Sequence, residues 1–360
     1  MKYSYRTTIR YVIAVFTLAL IANLGTSSNT QAQFADIGAL IQAGEADASI
    51  LSQEYLRPFG EGIGSVTNSG WVNRANPHRV LGFDIQVRAA AAMVPTNRQQ
   101  FDINTLNLQA VELANAGDGF TPTISGKSGS GTGVNVYHKE NGQRELLNSF
   151  NLPGGTGFPY IPVPIVNASL GLVLDTDIMV RFIPSTNLPG VNGSVNMFGG
   201  GLKHGINQYI PGGGLLPIDI SVMGAFTNFQ MEADPELRLS SNEANDYNQQ
   251  VIFTANSYNI NALIGYSIPV FPLSFYAGLG YESSSASFKA KGDFPIFEIN
   301  QAGHRAEAIL NDPVSISYDN INSPRAMAGL RFSILLLDLF ADVTYTDYPV
   351  ASAGFGFSFR

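Results

Sequence analysis

The chain has 360 residues, of which only 13% are charged, with 37 glycines, 19 prolines and a formal net charge of −8. That charged share is about half the roughly 25% of soluble domains, and an acidic balance without a basic stripe excludes nucleic acid as a partner. The absence of cysteine excludes a disulfide framework, thiolate metal ligation, a cysteine nucleophile and a lipid-acylated cysteine anchor.

The first element is an address. Lys2, Arg6 and Arg10 precede the apolar run YVIAVFTLALIANL, residues 11–24, and TSSNTQAQ follows with Thr30 and Ala32 placed for cleavage between Ala32 and Gln33. This is the three-part pattern of a secretory signal peptide over 1–32. The run is shorter than the about 20 residues that a spanning helix needs. Later in the chain the longest apolar candidate, SILLLDLF (333–340), is broken by Asp338. An exported chain with no membrane helix is either soluble or a closed barrel, the other backbone arrangement that satisfies itself inside lipid.

Residues 33–78 form a leader. In ADIGALIQAGEADASILSQEYLRPF (35–59), Ile37, Leu40, Ile41, Leu51, Tyr55 and Leu56 keep helical spacing, and Pro58 is expected to stop the helix. GSVTNSGWVNRANPHR then carries the only tryptophan, Trp71. Such a segment is expected either to plug a lumen or to lie against the periplasmic base of a barrel.

Residues 79–360 alternate with period 2. In LGFDIQVRAAAAM (81–93), Phe83, Ile85 and Val87 oppose Asp84, Gln86 and Arg88. The same parity holds in PIDISVMGAFT (217–227), SYNINALIGYSI (257–268), LSFYAGLGYE (273–282), RAMAGLRFSI (325–334) and LDLFADVTYT (337–346). These segments are long for sandwich strands, whose usual length is about 5–6 residues. Nine strands are expected from about residue 165 onward. With 79–94, 103–112 and one or three strands in the Gly/Pro-rich stretch 118–160, the reading is an all-β, transmembrane antiparallel barrel of about 12–14 strands. Orienting the last strand downward puts the long polar links, 184–194, 230–249 and 290–323, on the outer side, as bacterial barrels require. The short turn TDYPV is the exception.

The chain closes on ASAGFGFSFR. Phe355, Phe357 and Phe359 share one face, and are expected to meet lipid on the closing strand. A terminal aromatic strand resembles the signal read by the barrel-assembly machinery, here with Arg360 after the final Phe.

Seven charged residues fall on faces expected to point inward: Asp84, Arg88, Arg181, Asp219, Glu282, Arg331 and Asp342. Charges inside a barrel are usually paired and structural, and they can also set a pore's field or hold a plug. Other chemistry is thin. GKS at 126–128 lacks the upstream glycine of a phosphate loop, because Thr121 stands there. No G-x-S-x-G elbow occurs. The four histidines, His78, His138, His204 and His304, have no metal-binding spacing. The acids Glu232, Asp234, Glu236, Glu243 and Asp246 read as a solvated outer loop. No catalytic residue, metal site or cofactor is expected.

GWVNRANPHRVLGFDI (70–85), MVRFIPS (179–185), GGGLKHGINQYIP (199–211), LPIDISV (216–222) and RAMAGLRF (325–332) together resemble an uncharacterised family of exported outer-membrane β-barrel proteins with a domain of unknown function. More distantly, a helical leader ahead of a mid-sized barrel is similar to the long-chain fatty acid outer-membrane transporters. The resemblances imply an outer-membrane location and no established activity. Alternating strands, the leader and the low charge together raise the expectation of a passive channel for small hydrophobic molecules through a plugged lumen. The alternative is a non-transporting barrel that anchors or serves an envelope complex, and a third class is a rim enzyme. The expected partners are outer-membrane lipid and lipopolysaccharide, the barrel-assembly machinery and small hydrophobic ligands.

Overall fold

The computed structural model describes residues 40–115, 117, 119–140, 143–187, 192–235, 247–299 and 305–359. The leader 1–32 with its Ala32/Gln33 cleavage point, the loop acids Glu236, Glu243 and Asp246, His304 and Arg360 lie outside the described residues.

Among the described residues a long helix, α1 (Glu45–Asn68), precedes seventeen strands: β1 (Phe83–Met93), β2 (Gln100–Asp102), β3 (Val111–Leu113), β4 (Phe120–Pro122), β5 (Ser130–Glu140), β6 (Gln143–Pro153), β7 (Tyr160–Leu172), β8 (Thr176–Asn187), β9 (Gly193–Gly205), β10 (Asp219–Ala233), β11 (Gln250–Ser267), β12 (Leu273–Lys291), β13 (Asp293–Ile299), β14 (Arg305–Asn311), β15 (Val314–Ile334), β16 (Leu337–Tyr345) and β17 (Val350–Phe359). Among the described residues ten strands close an antiparallel barrel, in the order β1-β17-β16-β15-β12-β11-β10-β9-β8-β7. No described helix is long and apolar enough to cross a membrane.

The nine strands expected after residue 165 are β7–β12 and β15–β17. The total is nevertheless ten, not about 12–14, because the segments 103–112 and 118–160 do not join the wall. Together with β2 just before them, they form a β2–β4 pair and a β3–β5–β6 sheet instead. β2, β3 and β4 have three residues each, far short of the about 9–11 that a spanning strand needs. Period-2 patterning marks a two-faced strand in either setting, so it does not separate a wall from a cap.

The three longest links, 94–159, 234–249 and 292–313, leave one end of the barrel. The 93–160 excursion and the β13–β14 hairpin are at that end, which is the outer end in the orientation read from the sequence. The links at the other end are 173–175, 206–218, 268–272 and 335–336.

The strands change character along their length. On β11 the outward residues Tyr266, Ile264, Ala262, Ile260 and Tyr258 give way to Asn256 and Thr254 toward the outer end. The inward ones change oppositely, from Asn261, Asn259 and Ser257 to Ala255, Phe253 and Val251. β12 repeats this: Phe275, Ala277, Leu279 and Tyr281 are followed outward by Ser283, Ser285, Ser287 and Lys289, while Glu282 and Ser284 yield inward to Ala286, Phe288 and Ala290. The lower barrel is therefore apolar outside and polar inside, as lipid demands. The upper barrel is polar outside and apolar inside, as water demands.

Aromatic residues mark the switch. Phe182 pairs with Phe198, Phe226 with Tyr258, and Ile260 with Tyr281 across adjacent strands, and Tyr345 pairs with Ala326 on the far side. β16 crosses the belt below this row in nine residues. At about 3.3 Å per residue and a tilt near 40°, nine residues rise roughly 23 Å, close to the apolar band of outer-membrane barrels. The closing seam pairs Phe83 with Phe359, Ile85 with Phe357 and Val87 with Phe355. Phe357 and Phe359 are exposed on the outer surface.

Candidate functional site: the plugged lumen

α1 lies inside the barrel. Its first turn sits at the outer end, where the Asp47 carboxylate accepts backbone N–H groups of Gln109, Ala110 and Val111, each at 2.8 Å. Those three donors belong to the cap, so one carboxylate ties helix to cap. The helix then descends, packing Leu51, Tyr55, Ile63 and Val66 against Ile161, Val163, Phe253, Phe288 and Tyr318 in one apolar cluster.

Pro58 does not end the helix. It sits buried within α1, and ten more residues follow. A proline in a helix interior removes one hydrogen bond and costs about 3 kcal/mol or more in an isolated helix. Here the wall supplies partners, and the Tyr318 hydroxyl donates to the Gln53 carbonyl oxygen at 2.7 Å, next to the Glu54 carbonyl that Pro58 cannot serve. Glycines allow the close approach. A Cβ on Gly62 would strike Ile161 and Tyr348, and one on Gly64 would strike Ser284.

Below Asn68 the chain runs extended through the polar half of the lumen, and the wall fastens onto its carbonyl oxygens. Arg181 donates to Thr67 O at 2.6 Å and Ser69 O at 2.9 Å. Arg325 donates to Asn68 O at 2.8 Å, and Arg88 to Val72 O at 3.0 Å. Lys203 reaches Asn76 O at 3.1 Å. Uncharged donors complete the set: Asn167 to Gly70 O at 2.7 Å, Ser221 to Ala75 O at 2.7 Å and Tyr276 to Val72 O at 3.1 Å. Trp71 stacks in the same place, with the Arg181 guanidinium 4.1 Å from its ring centre.

The charged side chains also pair with one another. Arg88 meets Asp342 at 2.7 Å, and Arg331 meets Asp338 at 2.7 Å. Arg325 stands 3.5 Å from Glu282, which accepts from Ser65 of the helix at 2.7 Å and from Thr346 at 2.9 Å. At the lower end His78 lies between two acids, with Nδ1 3.0 Å from Asp177 and Nε2 3.5 Å from Asp84, and Lys203 is 3.1 Å from Asp177. Arg181 is fully buried; carbonyl and amide oxygens accept from it, and the Trp71 ring covers its guanidinium.

Of the seven lumen residues expected from the sequence, Asp84, Arg88, Arg181, Glu282, Arg331 and Asp342 are buried inside the barrel. Asp219 is only half-buried, at the first residue of β10. The sequence list omits Arg325, Lys203, Asp177, Asp338 and His78. Arg325 and Asp338 share the inward parity of Arg331 and Asp342, so their signal was present. His78 precedes the first strand, where parity says nothing.

The closed, belted, antiparallel wall with its own N-terminal segment inside defines a plugged barrel of the outer-membrane class. The chain belongs to a family of unknown function (DUF6588), whose model matches residues 7–359. No curated protein matches it in sequence. Among solved structures it is similar to Ail, the attachment invasion locus protein of Yersinia pestis, in complex with the heparin analogue sucrose octasulfate, with 13% identity, 77% of this chain and 99% of that one covered, and a TM-score of 0.25. It is similar to the outer-membrane transporter YddB of Escherichia coli at 9% identity, covering 75% and 39% of the two chains with a TM-score of 0.26. A third is the outer-membrane channel DcaP of Acinetobacter baumannii, at 11% identity, 81% and 100% coverage and a TM-score of 0.17. The expected likeness to long-chain fatty acid transporters receives no support from these comparisons.

Proposed function

We propose that the protein is a non-conducting outer-membrane barrel, a scaffold that holds its cap of small sheets at the outer surface in the service of an envelope complex. One observation carries this reading: three buried arginines and Lys203 of the wall all spend hydrogen bonds on main-chain carbonyls of the plug. Withdrawing the plug would take carbonyl acceptors from Arg88, Arg325 and Lys203, which keep Asp342, Glu282 and Asp177, and would leave Arg181 only Asn167 Oδ1; an uncompensated buried charge costs about 3–5 kcal/mol. In this reading the leader exports the chain, the assembly machinery reads Phe355, Phe357 and Phe359, lipid and lipopolysaccharide surround the belt, and the barrel catalyses no reaction.

The experiment is a planar-bilayer recording of the full chain, paired with dye release from liposomes. Silence in both is expected. Discrete conductance steps from the wild-type chain would overturn the scaffold reading. Uptake of a small hydrophobic dye in the absence of ionic current would favour the other reading, a passive carrier of small hydrophobic molecules.

A further inference from the structure

The wall has a notch. β15 pairs with β12 from Val314 to Phe332, but with β16 only from Ala326 to Ile334. β16 and β17 turn back at 346–349, and β1 ends at Met93. Above that turn the outer part of β15 therefore keeps β12 on one side and, among the described residues, has no strand on its β16 side. A cavity of about 380 Å³ occupies the gap, bounded by Met93, Pro95, Pro324, Tyr345, Thr346 and Asp347. That volume lies at the low end of the about 300–1,000 Å³ typical of small-molecule sites.

The notch stands at the level of the aromatic row, since Tyr345 bounds it. In a membrane that is where headgroups lie. Behind it α1 presents its charged stripe. Arg57 pairs with Glu54 and stands 3.5 Å from Glu61, and Tyr348 of the turn donates to Glu61 at 2.6 Å. Arg98, with a side chain 44% exposed, stands 3.6 Å from Glu61. Asp347 projects into solvent at the rim. Below the notch the lipid-facing surface is lowered by paired small residues, with Ala91 against Ala351, Ala89 against Ala353, and Ala353 against Ala341.

We infer that this notch holds one phospholipid-type amphiphile with a zwitterionic headgroup, its chains lying on the alanine surface below. Glu54, Glu61 and Asp347 against Arg57 and Arg98 leave the cluster one negative charge in excess. Such a site repels an anionic headgroup and offers both Asp347 to an ammonium group and Arg98 to a phosphate. The inference stands apart from the scaffold reading, because a notch on the outer wall can bind lipid whether or not the lumen conducts.

The test is native mass spectrometry of the full chain released from nanodiscs holding equal amounts of phosphatidylethanolamine and phosphatidylglycerol. The wild type is expected to retain phosphatidylethanolamine about tenfold over phosphatidylglycerol. Pro324→Trp, at an exposed rim position, should abolish the retention by filling the gap. Asp347→Lys, at an exposed turn position, should turn the preference toward phosphatidylglycerol. Equal retention of both lipids by the wild type, or unchanged retention and preference in both variants, overturns the inference. Gel mobility without boiling shows independently that each variant is folded.

Discussion

Arg181 and Thr67 are 114 residues apart in the chain, and the guanidinium of one donates to the carbonyl oxygen of the other at 2.6 Å in the middle of the barrel. The same guanidinium serves Ser69 O and Asn167 Oδ1. One wall residue thus satisfies two carbonyls of the plug, either side of Asn68, where it leaves helical geometry. Replacing it with alanine strands Ser69 O and Asn167 Oδ1 and leaves Thr67 O only the Thr227 hydroxyl, at 3.1 Å. Each buried unsatisfied group costs about 1–3 kcal/mol, so Arg181→Ala should lower stability by roughly 3–5 kcal/mol. Denaturant titration in detergent micelles, followed by Trp71 fluorescence, reads it. A loss below about 1 kcal/mol would contradict the geometry.

The plug's fit is tightest at its glycines. Gly64→Val forces a branched side chain against Ser284 of the wall. Overpacking of this kind costs about 1–3 kcal/mol. The variant should lose its compact, fast-migrating gel form at a lower temperature than the wild type. Ser284→Gly in the same chain should restore part of the difference, because it removes the struck atoms.

Asp47 tests the link between helix and cap. Its carboxylate takes three backbone donors at 2.8 Å, and hydrogen bonds to charged groups are worth about 1.5–3 kcal/mol each. Asp47→Ala should free the amides of residues 109–111 to exchange with deuterium at least tenfold faster. The amides of β11 and β12, paired within the wall, should keep their protection.

The lipid belt predicts a depth dependence. Ala353 faces outward near the middle of β17, and Phe359 faces outward at its end. Arginine at the midplane of such a barrel costs about 2–4 kcal/mol and near an interface about 0–1. Ala353→Arg should therefore destabilise the barrel in bilayers by at least 2 kcal/mol, whereas Phe359→Arg should cost mainly its lost aromatic contact with Phe83, whose ring centre lies 6.0 Å away. Equal effects at the two positions would place the membrane elsewhere.

Much of the wall could be read from residue parity because a lipid-facing strand obeys a strict rule at every second position. β11 below Tyr258 and β12 below Tyr281 display it directly. Their outer halves obey the opposite rule, so a reading that looks only for apolar residues outside stops at the aromatic row. The Asp338–Arg331 and Asp342–Arg88 pairs also follow from parity, since each of the four points inward on its own strand. What parity could not supply is the plug's route. The contacts of Ser65, Thr67 and Asn68 with β11, β12 and β15 join residues more than 180 positions apart. Pro58 points the wrong way, because local helix rules take no account of a wall that packs around the helix and bonds to the neighbouring Gln53 carbonyl. The segment 118–160 reads as wall strands for a related reason: short sheets over a mouth and strands within a wall share composition and period.

The position of α1 ahead of β1 orders assembly. β1 is the strand on which β17 closes the ring, so the stretch from Glu45 to Gly82 is fully enclosed only when β17 has found its partners. The C-terminal strand acts as the stopper of a filled vessel. A nascent chain halted before Val350 would have wall and contents but no seam, and its arginines would face water instead of the carbonyls meant to receive them. Packing the inside and sealing the outside thus become one event, set by the pairing of β17 with β1.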